Sequence, residues 1–282
     1  MKKQVLRVAV SIVIMAALVV TLACARNIEP QTVPIFVPYP EGFADASITL
    51  EFGAANIYVD ATGTDLIEGN ITYNTEGRHP AVVVNDNLVS IVQGGPSGII
   101  TGGTINNWVL HFGTEMPFSL EITAGAYSGD WELGGLPLTA LSINEGAASS
   151  IYSFSSANPR VMSKLDINSG AGSMELLDLA NANFDSLLYD GGAGSLTVDF
   201  GGELMRDGVV DINAGACSII LIVPEDTPAR IHIGGGVSNI EADEGFEQLD
   251  GDYITPSWTG HEGPEMQIEV TLVAGSLTLE LE

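Results

Sequence analysis

An all-β fold, built as a β-solenoid-like stack of two-strand repeats, is the class this sequence predicts. Three observations predict it. Glycine is abundant (33 of 282 residues), aromatics make up 7%, and Val, Ile, Leu and Thr recur in short runs. Such composition favours many short strands over helices. The second observation is repetition. Copies centre on Gly53, Gly125, Gly146, Gly170, Gly192, Gly215 and Gly236, with Val273 in the same place in an eighth. An apolar pair stands five and three residues before every centre, from Ile48 and Leu50 to Ile268 and Val270, and Ser or Asn stands three residues after it, from Asn56 to Ser276. The third is period: from Gly125 to Gly236 the centres recur every 21 to 24 residues.

Apolar residues two apart share one face of a strand. Between two such strands, Gly-x-x-Ser/Asn is turn chemistry, because Gly tolerates positive φ and Ser or Asn can bond its own backbone. Each unit therefore reads as strand, tight corner, strand. A unit this short cannot bury its apolar face alone, so units stack, at ~4.8 Å per layer. In this reading Leu176 points inward and Glu175 outward.

Residues 1–25 read as an export signal. Lys2, Lys3 and Arg7 precede the apolar stretch Val8 to Ala23, which is short for a membrane span of ~20 residues. Leu22-Ala23-Cys24 resembles a bacterial lipoprotein cleavage site, which would make Cys24 the lipidation site. Three fates stay open: lipidation at Cys24, ordinary cleavage after Ala25, or an uncleaved anchor. Residues 26–44, with Pro30, Pro34, Pro38 and Pro40, read as an extended spacer. Residues 45–282 are expected to form one domain.

Two stretches interrupt the period. Between Gly53 and Gly125 lie strand-like pieces and a glycine-rich loop, Gly94 to Asn107, which suggest divergent first layers. Between Gly236 and Val273 lies an acidic insert, Asp243 to Glu265, expected as a solvated loop. Atypical terminal units cap a stack and hide its edges.

Charge narrows the partners. Three of the nine basic residues lie in the signal, leaving six against 36 acidic ones. That field repels nucleic acid and anionic headgroups. The four histidines, His79, His111, His232 and His261, show no metal-ligand spacing, and His232 is expected to point outward. Gly191 to Leu196 lacks the Asp that a calcium-binding nonapeptide repeat requires. The insert's carboxylates lack the EF-hand's regular spacing. Neither a Gly-x-Ser-x-Gly elbow nor a P-loop occurs. Cys217 reads as a small buried thiol and Trp131 as a core residue. Tyr253 and Trp258, in the insert, are the candidate ligand contacts.

The segment from Trp108 to Ala126, followed by Leu133-Gly-Gly-Leu-Pro-Leu-Thr-Ala-Leu141, resembles the bacterial toast-rack domains. These are β-repeat domains of exported and LiaF-like envelope proteins. Leu66 to Tyr73 is similar to the family's N-terminal portion, and Tyr253 with Ile268 to Leu279 to its closing repeat. The resemblance implies an envelope location and a stacked sheet. It supplies no catalytic residues, and the multiple membrane spans of LiaF-like members are missing.

The expected function is that of an exported, lipid-anchored, adhesin-like interaction protein without catalysis, metal or cofactor. Its partners would be an envelope protein or polysaccharide, and the membrane through its anchor, but no nucleic acid. Two other readings stand beside it: a carbohydrate-binding or carbohydrate-cleaving β-helix protein, and an accessory protein sensing envelope stress.

Overall fold

The computed structural model describes residues 27–94 and 103–282. Apart from one 3-10 turn, Leu179–Ala182, its regular structure is β, gathered into one open sheet. The strands are β1 (Asn27–Val37), β2 (Ala46–Phe52), β3 (Ala55–Gly63), β4 (Ile67–Thr75), β5 (Ala81–Asn85), β6 (Leu88–Gln93), β7 (Asn106–Gly113) and β8 (Phe118–Glu132). They continue with β9 (Leu138–Ser153), β10 (Leu165–Leu177), β11 (Ser186–Asp199), β12 (Gly208–Val223), β13 (Ala229–Ala242), β14 (Glu247–Leu249), β15 (Asp252–Ile254) and β16 (Met266–Leu281).

The middle of the sheet, β8 to β12, is a parallel ladder in sequence order. Equivalent residues of the repeat lie side by side, so Ile167 pairs with Tyr189, which pairs with Ile212. Each strand is bent at its repeat centre into two arms. Inward positions alternate along the first arm of β9 (Leu141, Ile143, Glu145). They change parity past the exposed Gly146-Ala147 and continue as Ala148, Ser150 and Tyr152. Two outward residues in succession let both arms face one interior. The loops between strands supply Leu133, Leu136, Phe154, Leu179 and Phe200 to the same fully buried core.

The corner differs from the expected turn. Backbone pairing skips only the central glycine pair and resumes in the same register beyond it, and the central glycines keep ordinary φ. They are needed for close approach instead. A Cβ on Gly125, Gly146, Gly170, Gly192 or Gly215 would stand 2.1–2.9 Å from the carbonyl oxygen of the central glycine of the preceding copy. Positive φ occurs two residues later, at Gly172, Gly194 and Gly275 (137–143°).

Both ends depart from sequence order. The first and second arms of β8 pair with β2 and β3, beyond which lie β6 and β7. β4 adds antiparallel to β7, β1 to β4, and β5 to β6. At the other end β16 lies between β12 and β13. The eighth copy is therefore not the outermost strand of the parallel ladder. The stretch expected as a proline spacer is in part the edge strand β1, with Ile35 and Val37 buried. An edge tolerates Pro30 and Pro34, which lack an N–H for a second partner. The acidic insert, expected as a solvated loop, folds in part into the β14–β15 hairpin, paired to β13 through Arg230 and Ile231. Gly94 to Asn107 falls partly outside the described residues, and β7 begins within it.

Candidate interaction surfaces

Beside the corner, parallel pairing aligns two outward columns of small residues. One contains Ala126, Ala147, Ala171, Ala193, Ala216 and Ala274, and the other Ser128, Ser149, Ser173, Ser195, Ser218 and Ser276. Hydroxyls of adjacent layers touch at 3.3 Å (Ser173 to Ser149) and 3.4 Å (Ser276 to Ser218). The Ser of six of the eight copies thus forms a surface ladder rather than a turn.

Inside the same bend lies a polar cluster. Glu145 is 5% exposed at an inward position. It accepts hydrogen bonds from the Tyr127 hydroxyl (2.7 Å), Ser169 Oγ (2.9 Å) and Ser150 Oγ (3.2 Å), and the Tyr127 hydroxyl lies 2.7 Å from that of Tyr152. Burial raises the Glu145 carboxyl above its ordinary value, against the lowering effect of these donors. Burial likewise raises Tyr127, Tyr152 and Tyr189. The cluster joins side chains of β8, β9 and β10.

A shallow groove of about 250 Å³ lies on the outer face at the C-terminal end, lined by residues that include Val209, Asp211, Arg230, His232, Asp252 and Glu269. Asp252, 8% exposed at the start of β15, accepts from Arg230 Nε (2.6 Å) and lies 2.7 Å from His232 Nδ1. Those two hydrogen bonds hold its carboxyl below the ordinary range, outweighing desolvation. His232 does point outward, as expected, and it helps pin the hairpin to β13. His111 makes a similar pair with Asp60 at 2.7 Å. Desolvation raises Asp60, but hydrogen bonds from Thr62 and His111 prevail and lower it.

The sequence-predicted contacts are dispersed. Tyr253 packs edge-on to Phe246, with ring centroids 6.5 Å apart, and leans on the core. Trp258 is half-buried and lies 5.3 Å from the His261 ring, while His261 bonds the Trp258 carbonyl (2.6 Å) and Glu265 (2.9 Å). Neither aromatic lines the groove. Cys24 lies outside the described residues. Trp131 is fully buried, and Cys217 is a buried free thiol raised by desolvation. Among the described residues, no three His, Cys, Asp or Glu converge as a metal site.

Residues 27–158 and 156–222 match the family model described as the N-terminal domain of toast_rack, DUF2154. The chain belongs to the toast-rack family. This toast-rack protein is similar in fold to a candidate cell adhesion protein from Clostridium sporogenes ATCC 15579. The TM-score is 0.50 at 16% identity, covering 90% of this chain and 100% of that one. It also matches candidate adhesins from Parabacteroides merdae ATCC 43184 (TM-score 0.37, 12% identity, 88% of this chain and 95% of that) and Bacteroides fragilis NCTC 9343 (0.32, 10%, 89% and 97%). At such identities the likeness is one of fold. No curated protein matches the toast-rack chain.

Sequence reasoning missed a set of asparagines that organise the loops of this toast-rack domain. Asn158, 1% exposed, donates from Nδ2 to the carbonyls of Leu138 (2.8 Å) and Ala182 (3.2 Å). Asn181 donates to the Phe154 carbonyl (2.8 Å). Asn158 and Asn181 stand one repeat apart, a signal that was available. Asn183 donates to the Asn158 carbonyl (3.2 Å), tying neighbouring loops together.

Proposed function

We propose that this toast-rack protein is an exported, lipid-anchored, adhesin-like component of the bacterial envelope, acting by surface contact rather than catalysis. The stack is read as a β-solenoid, a stiff spacer that carries its outer faces away from the membrane. The observation that carries the reading is the outer face itself. Ladder-aligned Ala and Ser columns span six layers, while the buried ionisable cluster and the hairpin's ion pairs serve internal bonding. The export-like residues 1–25, the acidic balance and the likeness in fold to a candidate cell adhesion protein support it.

Cells producing the chain, and cells producing Cys24→Ala, are compared for adherence to cell and matrix surfaces and for incorporation of labelled fatty acid. The reading expects label and adherence in the parent and loss of label in Cys24→Ala. Adherence equal to that of cells without the protein would overturn the adhesive role, and an unlabelled parent would overturn the lipid anchor.

A further inference from the structure

The two ends of the stack carry different edges, and one of them is suited to another protein chain. β5 is five residues long, Ala81-Val-Val-Val-Asn85, and every residue of it is exposed. Val82, Val83 and Val84 are 39%, 56% and 52% exposed, and the adjoining Leu88 is 54% exposed. Val82 lies opposite the buried Ile91 and Val84 opposite the buried Val89, so both sit on the core side of the sheet with little beyond them. Among the described residues β5 pairs with β6 alone, leaving its other edge to offer N–H and C=O groups.

We propose that this edge pairs with the β5 edge of a second copy of the chain. The joint is antiparallel about a two-fold axis through Val83, an isologous arrangement. Three observations select a second copy. In length, all five residues find partners when Val83 faces Val83, Val82 faces Val84 and Ala81 faces Asn85. In pattern, directly opposed residues project on one side of an antiparallel pair, so Val82 and Val84 of both copies extend the two cores across the joint. In charge, residues 77–85 contain no Asp or Glu within a chain of net charge −27. The far end presents Glu241, Asp243, Glu244 and Glu247 around its outer strands. Two like-charged copies therefore meet less repulsion at β5 than at that far end. Antiparallel joining also sends the second arms of the two copies away from opposite ends of the joint.

The test uses the full chain with single cysteines on β5. Opposed residues of an antiparallel pair have Cα atoms ~4.5–5.5 Å apart, within the span a disulfide bridges. Val83→Cys is expected to form a covalent dimer under mild oxidation. Val82→Cys alone should form far less, and mixing Val82→Cys chains with Val84→Cys chains should restore the link. By sedimentation velocity the parent should be a dimer and Val83→Lys a monomer, with the thermal midpoint of Val83→Lys unchanged at a concentration where the parent has dissociated. A parent that stays monomeric across the concentration range overturns the proposal. So does a dimer in which Val83→Cys fails to cross-link, since that places the contact elsewhere.

Discussion

The middle of the sheet and its C-terminal end use opposite means to reach a packed, satisfied state. From β8 to β12 every strand repeats the one before, the ladder is parallel, and the interior is apolar apart from the cluster around Glu145 and the loop residue Asn158. At the end, β13 is followed by the short antiparallel hairpin, held by two register pairs and by Asp252 bonded to Arg230 and His232. A neighbouring layer supplies continuous pairing and apolar contact. A terminal layer lacks one neighbour, so charged and polar side chains take over the fixing. The difference locates where this protein is sensitive to volume and where it is sensitive to charge.

The largest effect is expected in the middle. Leu176 is 1% exposed, and Leu176→Asp buries a carboxylate without partners, costing several kcal/mol and unfolding the domain. The adjacent Glu175→Lys lies outside and should change stability by no more than ~0.5 kcal/mol. Denaturant melts of both check the pair, and equal shifts would contradict the inward assignment. Next comes Gly192→Ala. Its Cβ would stand 2.1 Å from the Gly170 carbonyl oxygen, a backbone atom that cannot swing aside. A loss of about 1–3 kcal/mol is expected, as for other overpacked sites. Val273→Gly, at the one copy that already carries a side chain there, 75% exposed, should cost less.

Two smaller effects separate middle from end by the sign of their pH dependence. Glu145 has a raised pKa in the folded chain, so its favourable contribution is complete below its unfolded value and is lost as pH rises through the folded one. Glu145→Gln keeps the shape without the ionisation. Its stability relative to the parent should therefore improve from acid to neutral pH, measured as melting midpoint against pH. Asp252 behaves the other way. Its pKa is lowered, so its contribution is present above the unfolded value, ~3.9, and is lost as pH falls through the folded one. Asp252→Asn should speed amide exchange in β14 and β15 at neutral pH while leaving the global midpoint nearly unchanged. Exchange in that hairpin equal to the parent's would show that the ion pairs do not hold it.

The repeating layers were legible because two simple periodicities coincide there. Ile167, Tyr189 and Ile212 do share one column, and Trp131, Leu176 and Cys217 face inward as expected. Glu145 was legible in principle. Following the parity from Leu141 through Ile143 puts a carboxylate inside, in a column otherwise held by small or apolar residues such as Ala124, Ser169 and Ala214. Strand order at the ends was not legible. Alternation tells a strand which face to bury and says nothing about which strand lies beside it. β1 was hidden by its prolines, whose fit depends on standing at an edge. The ion pairs of Asp252 join residues 20 and 22 positions apart, through a hairpin whose sequence reads only as acidic and glycine-rich.

The position of β16 has a consequence for how the molecule is made. A ribosome delivers β12, then the link through residues 224–228, then β13, and only afterwards β16. Throughout that interval the edge of β12 is open, and β13 is the strand at hand to take it. Its residues Ile231, Ile233 and Ile240 stand in register with Ile268, Val270 and Leu277 of the finished ladder. The chain therefore reaches its mature order only when β16 takes the place between β12 and β13.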